Sequence, residues 1–124
     1  MGCIGYCMGG RHVFTAAGHH PGHFRATASL HGTYLATDQD DSPHLLADKF
    51  QGEIYCGFGE KDQYASPEVI AALDKALGAA DVDYHHIVHA GAEHGYALPD
   101  RDIFDKAAAD RDWEIFFAML RRQL

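Results

Sequence analysis

The sequence GYCMGG, residues 5–10, places a cysteine between glycines close to the start of the chain. The preceding residues 1–5 are short and apolar, which is typical of the end of a buried strand. Residues 8–17 favour a helix, with Gly18 as its expected C-cap. A tight turn between strand and helix, with Cys7 at its tip, is the cysteine form of a nucleophile elbow. A metal knuckle and a buried structural thiol are the alternatives for the same six residues.

The rest of the chain alternates predicted strands with predicted helices. Further strands are predicted over residues 25–30, 53–58 and 82–89, and helical segments over residues 44–50, 67–78 and after 99–100. Ser66 before Pro67 is the expected N-cap of the middle helix, and the polar segment 31–43 is predicted to be a loop. Strands separated by helices need crossover connections, so we expect a single α/β domain over residues 1–124 with a mostly parallel sheet flanked by helices.

Composition and charge exclude several classes of protein. Hydrophobic residues make up 47% of the chain and charged residues 23%, which suits a globular fold. The formal net charge of -8 and the lack of a basic run argue against nucleic acid or an anionic membrane as a partner. No apolar run reaches the roughly 20 residues of a membrane span, and no signal peptide is evident. Three cysteines without a disulfide pattern predict reduced thiols and a cytoplasmic protein.

Three chemically active side chains follow three different predicted strands. In a parallel sheet, the carboxyl ends of the strands meet at one edge, and chemistry collects there. The loops after residues 5, 58 and 89 carry a thiol, a carboxylate and an imidazole, from Cys7, Asp62 and His94. We therefore expect these three side chains to converge on one site.

Each of these groups has a role in nucleophilic catalysis. Cys7 is the candidate nucleophile, placed at a helix N-terminus that favours thiolate, and the N–H of Met8 points to where an oxyanion would form. His94 is the candidate general base and Asp62 the acid that orients it. The simpler interpretations are a surface histidine and a solvated turn aspartate. Three rival acids lie in the predicted loop 31–43: Asp38, Asp40 and Asp41. The other two cysteines, Cys3 and Cys56, are predicted to be small core residues.

The order nucleophile, acid, histidine is that of α/β-hydrolases. The segments GYCMGG (5–10), GEKD (59–62) and GAEHGY (91–96) resemble the dienelactone hydrolase (carboxymethylenebutenolidase) family over nearly the whole chain. The resemblance implies an α/β-hydrolase fold and hydrolysis of a small ester or lactone through an acyl-thioester, with no metal or cofactor. It also implies that Cys7 is the nucleophile, Asp62 the triad acid and His94 the triad base.

The resemblance covers only the second half of the family's length. We therefore expect the chain to be the C-terminal half of such a domain, without the N-terminal strands that carry a second oxyanion donor. The strand before Cys7 would then have an unpaired edge, which predicts pairing with another chain or a homo-oligomer. Family members that bind dienelactone have an arginine four residues after the histidine, where this chain has Leu98. The substrate within the ester and lactone class therefore stays open.

Two other functions compete with the hydrolase. The first is a metal-binding protein that uses cysteines together with the histidines of the fourth predicted strand and its loop, His85, His86, His89 and His94. Strand geometry counts against it, because neighbouring side chains of a strand point to opposite faces. The second is a catalytically inactive remnant of a hydrolase that serves as a structural or interaction module.

Overall fold

The computed structural model describes all of residues 1–124, and strands alternate with helices along the chain. The elements are β1 (Gly2–Tyr6), α1 (Met8–His19), β2 (Ala26–Leu30), a 3₁₀ helix (Pro43–Lys49), β3 (Glu53–Gly59), α2 (Pro67–Ala79), β4 (Asp83–His89) and α3 (Lys106–Gln123). The predicted α/β class is confirmed, and the polar segment 31–42 lies between β2 and the 3₁₀ helix as expected.

The four strands form one sheet in the order β1-β2-β3-β4, and every neighbouring pair is parallel. The register places Tyr6 of β1 beside Leu30 of β2, and Leu30 beside Gly57 of β3. The carboxyl ends of all the strands therefore lie along one edge of the sheet. β1 and β4 are the outer strands, so β1 has one edge without a partner strand in this chain.

Apolar side chains cover both faces of the sheet. The cluster on the α1 and α2 face includes Phe14, Ile54, Phe58, Leu73 and Leu77. The cluster on the α3 face includes Leu30, Tyr55, Tyr96, Phe116 and Met119. Alternate residues of β3 enter opposite clusters, as the period of two in a strand requires. Each fully buried large apolar side chain contributes about 1.5–3 kcal/mol, so packing on both faces holds the strands together.

Side-chain caps determine where two of the helices begin. The hydroxyl of Ser66 accepts a hydrogen bond from the backbone N–H of Val69 at 3.3 Å, and Pro67 opens α2 as predicted. At α3, the Asp105 carboxylate accepts from the N–H of Ala108 at 3.1 Å. The prediction that this helix starts just after residues 99–100 is therefore wrong by several residues. Turns occupy that interval, and the helix begins where the Asp105 side chain accepts from one of the free N–H groups of its first turn.

Gly18 is not the C-cap of α1, because the helix continues to His19. A Cβ atom at Gly18 would lie 2.7 Å from the Cβ of Leu46 in the 3₁₀ helix. The glycine therefore allows α1 to approach the 3₁₀ helix closely. This requirement comes from a residue far away in sequence, so local patterns could not reveal it.

The apolar residues of α3 face the sheet only in part. Phe116 and Met119 are buried, whereas Phe117 is 49% exposed. None of the helices combines the length and apolar composition that crossing a membrane requires.

Candidate active site

Cys7 lies at the turn between β1 and α1, with a positive φ of 54° and a ψ of -121°. Few side chains adopt a positive φ, and such strain is common at functional turns. A Cβ atom at Gly5 would lie 2.1 Å from the carbonyl oxygen of Gly9 in the first turn of α1. Only glycine therefore fits at position 5 without moving the helix. Position 9 differs, because a Cβ atom there would meet nothing within 4 Å.

Asp62 and His94 form a hydrogen-bonded pair at the same edge of the sheet. The Nδ1 atom of His94 lies 2.8 Å from Oδ2 of Asp62. The other carboxylate oxygen, Oδ1, accepts a hydrogen bond from the N–H of Tyr64 at 2.8 Å. The Asp62 side chain is fully buried, whereas the imidazole is 26% exposed. The carboxylate is therefore held in place, and the imidazole keeps one side open to solvent.

The structure brings the predicted thiol and imidazole close together and adds a second imidazole, that of His31. The Sγ atom of Cys7 lies 3.2 Å from Nδ1 of His31. Sγ and one nitrogen from each of His31 and His94 all lie within 4.8 Å of one another. Sequence reasoning missed His31, which falls in the segment predicted to be a polar loop. The available signal was its position immediately after β2, at the same sheet edge as the other three residues.

His31 is fully buried, with a positive φ of 40°. Its ring packs edge-on against the rings of His94 and Tyr96, with centroid distances of 5.4 Å and 5.1 Å. The Nε2 atom has no hydrogen-bond partner in the protein. Burial lowers the pKa of His31 to about 4, and the neighbouring His94 acts in the same direction. At neutral pH this imidazole is therefore uncharged.

The thiol of Cys7 is less acidic than its place at a helix N-terminus suggests. Burial raises its pKa above the usual value, while the positive charge of Arg101 acts in the opposite direction. Desolvation is the larger of these two effects, so the site favours the neutral thiol. A resting thiol needs a base to remove its proton before it can attack.

A second buried carboxylate, Asp112 of α3, supports the loop that carries the histidine. It accepts hydrogen bonds from the hydroxyls of Tyr55 and Tyr96, each at 2.6 Å. Its Oδ1 atom also lies 2.8 Å from Nε2 of His89. Tyr96 follows His94 by two residues, so this network ties the histidine loop to α3. Nothing in the sequence marks Asp112 as different from its exposed neighbours.

The rival residues of the sequence interpretation lie elsewhere. The alternative acids sit in an exposed loop: Asp38, Asp40 and Asp41. The histidines of β4 each face a different carboxylate, with His85 near Asp83, His86 near Asp74 and His89 near Asp112. The three strand histidines therefore do not converge with His94 on one metal site. Cys56 is fully buried as predicted, and Cys3 is partly exposed beside the hydroxyl of Thr27.

A sequence profile described as the dienelactone hydrolase family matches residues 1–124. The chain belongs to the dienelactone hydrolase family. A Synechocystis sp. protein provisionally named a carboxymethylenebutenolidase is 29% identical over 117 residues, which cover 92% of this chain and 47% of that protein. The Aquifex pyrophilus protein named usf is 24% identical, over 100% of this chain and 52% of that protein. The chain thus spans about half the length of these curated relatives.

Solved structures described as dienelactone hydrolases or as similar to them share the fold of this chain. A Klebsiella pneumoniae protein provisionally called a dienelactone hydrolase superposes with a TM-score of 0.86 at 22% identity, over 95% of this chain and 50% of that one. A metagenomic phosphotriesterase described as dienelactone hydrolase-like and promiscuous gives a TM-score of 0.81 at 20% identity, over 97% and 51% of the two chains. The α/β-hydrolase fold is therefore confirmed, and the family is one of hydrolases.

Proposed function

We propose that this chain is the thiol-dependent part of a hydrolase that cleaves a small ester or lactone. One observation supports this proposal above the others: Cys7 at a strained elbow lies beside His94, whose Nδ1 atom is hydrogen-bonded to the buried Asp62 at 2.8 Å. A nucleophile, a base and a group that orients the base are the components of a catalytic triad.

His94 is a better candidate for the base than His31, although His31 is hydrogen-bonded to the thiol. The Asp62 carboxylate beside His94 stabilises the imidazolium that forms when the ring accepts a proton. His31 has no carboxylate partner, and burial lowers its pKa to about 4. An imidazole that resists protonation is a weak base, since efficient proton transfer needs a pKa close to the working pH.

In the proposed reaction, His94 removes the proton of the Cys7 thiol as sulfur attacks the carbonyl carbon. The new C–S bond creates a tetrahedral oxyanion, and the backbone N–H of Met8, at the first position of α1, donates a hydrogen bond to it. The C–O bond to the leaving group then breaks, and His94 returns the proton to the departing oxygen. The product of this first half is an acyl-thioester on Cys7.

Hydrolysis of the thioester uses the same groups in reverse. His94 takes a proton from water, and the hydroxyl oxygen attacks the thioester carbon. The C–S bond breaks, the acid leaves, and the sulfur recovers its proton from His94. The imidazole is partly exposed, so in the proposed reaction this water comes from solvent.

The whole protein's activity is part of the proposal, because the chain spans about half the length of its relatives. The loss of one oxyanion donor typically lowers the rate about 10²- to 10³-fold. We propose that a second donor comes from outside these residues and that another strand pairs with the free edge of β1. The three unpaired cysteines favour a reducing compartment, and the cytoplasm is the proposed location.

The test is hydrolysis of p-nitrophenyl acetate by the purified chain and by Cys7→Ala, Cys7→Ser and Cys3→Ala. We expect turnover beyond one equivalent for the wild type, none above background for Cys7→Ala, and little for Cys7→Ser, because a hydroxyl depends more heavily on its base. Cys3→Ala is the matched control and keeps the rate. EDTA does not abolish the activity.

Trapping the intermediate adds a direct readout. Acid quenching during turnover, followed by peptide mass spectrometry, is expected to find the acetyl group on the peptide that contains Cys7. A full rate in Cys7→Ala, or loss of activity with EDTA, contradicts the proposal. A folded wild type without any thiol-dependent turnover favours the inactive structural module instead.

A further inference from the structure

We propose that Cys7, His31 and His94 together bind Zn²⁺, and that this ion reversibly blocks the thiol. The three donor atoms are one sulfur and two imidazole nitrogens, which are the ligands that zinc prefers in proteins. They belong to three different parts of the fold: the elbow, the residue after β2 and the loop after β4. The fold therefore assembles a ligand set that no local sequence motif contains.

The spacing of the donor atoms is close to that of a zinc site. Zinc bonds of about 2.3 Å to sulfur and about 2.0 Å to nitrogen, in a tetrahedron, place the ligand atoms about 3.3–3.6 Å apart. Sγ of Cys7 and Nδ1 of His31 are already 3.2 Å apart, and all three donor atoms lie within 4.8 Å of one another. Binding of the ion requires the widest separation to close by about 1 Å to reach the tetrahedral spacing.

The surroundings orient both imidazoles for this role. Asp62 binds Nδ1 of His94 at 2.8 Å, which leaves Nε2 as the free nitrogen. A carboxylate on the far nitrogen of a metal-bound histidine is the usual outer-shell arrangement of zinc sites. The ring of His31 is fully buried, so the surrounding side chains fix its orientation. Its Nδ1 atom faces Sγ of Cys7, and its Nε2 atom has no hydrogen-bond partner in the protein.

Three protein ligands leave the fourth zinc position for water. The partly exposed His94 provides a path for the ion from solvent. Binding replaces the thiol proton by the metal, so one proton is released and a zinc–thiolate bond forms. The sulfur and the lone pair of His94 are then both occupied. The resulting inhibition rests on the proposed hydrolase function, whereas the binding does not.

The direct test is titration of the reduced, chelator-treated chain with Co²⁺, a spectroscopic substitute for zinc. We expect a 1:1 complex with a thiolate-to-cobalt band in the near ultraviolet and visible bands typical of a tetrahedral site, and displacement of Co²⁺ by Zn²⁺. Mg²⁺ has no effect, because it prefers oxygen ligands. The chain has ten histidines. Cobalt bound only by histidines outside the proposed site gives no thiolate band.

Substitutions of the proposed ligands test where the ion binds. Cys7→Ser removes the thiolate band, and His31→Asn and His94→Asn each weaken binding. Asp62→Asn weakens it about 10- to 100-fold, as for other outer-shell changes. Cys3→Ala and His85→Asn are matched controls and keep the wild-type titration. Circular dichroism of each variant establishes that it is folded before its affinity is compared.

A second measurement is independent of any variant. Zn²⁺ is expected to protect Cys7 from alkylation by iodoacetamide and to stop p-nitrophenyl acetate turnover, and EDTA restores both. Protection without any enzymatic turnover supports the metal site and contradicts the proposed hydrolase. A cobalt complex without a thiolate band, an unchanged affinity in folded His31→Asn, or alkylation unaffected by Zn²⁺ overturns the metal site.

Discussion

At the scale of single residues, His31 shows how burial changes the chemistry of a side chain. The imidazole is fully buried, and its pKa is lowered to about 4 because the charged form loses its hydration. Its titratable neighbours are His94, Asp62 and Asp112, of which the carboxylates act to raise the pKa of His31. Desolvation is the larger effect, so His31 stays neutral beside the thiol of Cys7.

This shift predicts a stability that depends on pH. Between pH 6.5 and about 4, the unfolded chain binds a proton at His31 that the folded protein does not bind. The free energy of unfolding therefore falls as the pH falls through this range, with a slope of up to about 1.4 kcal/mol per pH unit from this residue. Urea unfolding of the wild type and His31→Gln across this range measures the slope.

The His31→Gln variant is expected to have the shallower dependence, because it lacks the group that titrates. His85→Gln, at an exposed position, is the matched control and keeps the wild-type slope. Parallel curves for His31→Gln and the wild type contradict the assignment.

At the scale of elements, the elbow between β1 and α1 depends on one backbone contact. A Cβ atom at Gly5 would lie 2.1 Å from the carbonyl oxygen of Gly9, which belongs to the helix and cannot move independently. The first turn of α1 therefore packs directly on the end of β1. Cys7, with its positive φ, lies between the two elements.

Gly5→Ala and Gly9→Ala form a matched pair that tests this contact. We expect Gly5→Ala to destabilise the fold by about 1–3 kcal/mol, because the added methyl group forces the strand and helix apart. Gly9→Ala enters open space within α1 and is expected to be neutral or stabilising by up to about 1 kcal/mol. Urea unfolding compares them, and equal destabilisation of both variants contradicts the packing described here.

At the scale of the whole molecule, α3 is joined to the sheet through the buried carboxylate of Asp112. Its three partners come from β3, β4 and the histidine loop: Tyr55, His89 and Tyr96. The last helix of the chain therefore supports the loop that carries His94. A change at Asp112 should affect both stability and the position of His94.

Asp112→Ala is expected to lower the free energy of unfolding by at least about 3 kcal/mol, since it leaves three buried polar groups without an acceptor. The same variant is expected to lower p-nitrophenyl acetate turnover, because Tyr96 no longer anchors the loop of His94. Asp110→Ala, on the exposed face of α3, removes only the pair with Lys106 and changes stability by less than about 0.5 kcal/mol. A similar effect of both substitutions on urea unfolding contradicts the role of Asp112.

The sequence by itself determined the order of the strands and helices and the place of Cys7, Asp62 and His94 at one sheet edge. Helix caps and apolar periodicity are local signals, and the rule that parallel strands end at one edge converts them into a shared site. Helix boundaries that depend on contacts with residues far away in sequence cannot be predicted from local patterns. The local pattern predicts a cap at Gly18, whereas the residue that requires a glycine there, Leu46, lies in another element.

The tertiary structure alone decided the electrostatic state of the site. It placed His31 beside the thiol, buried Cys7 enough to raise its pKa, and put Asp112 under the histidine loop. Burial and close approach arise between residues far apart along the chain. The desolvation that shifts these pKa values therefore follows from the packed fold and leaves no trace in local sequence.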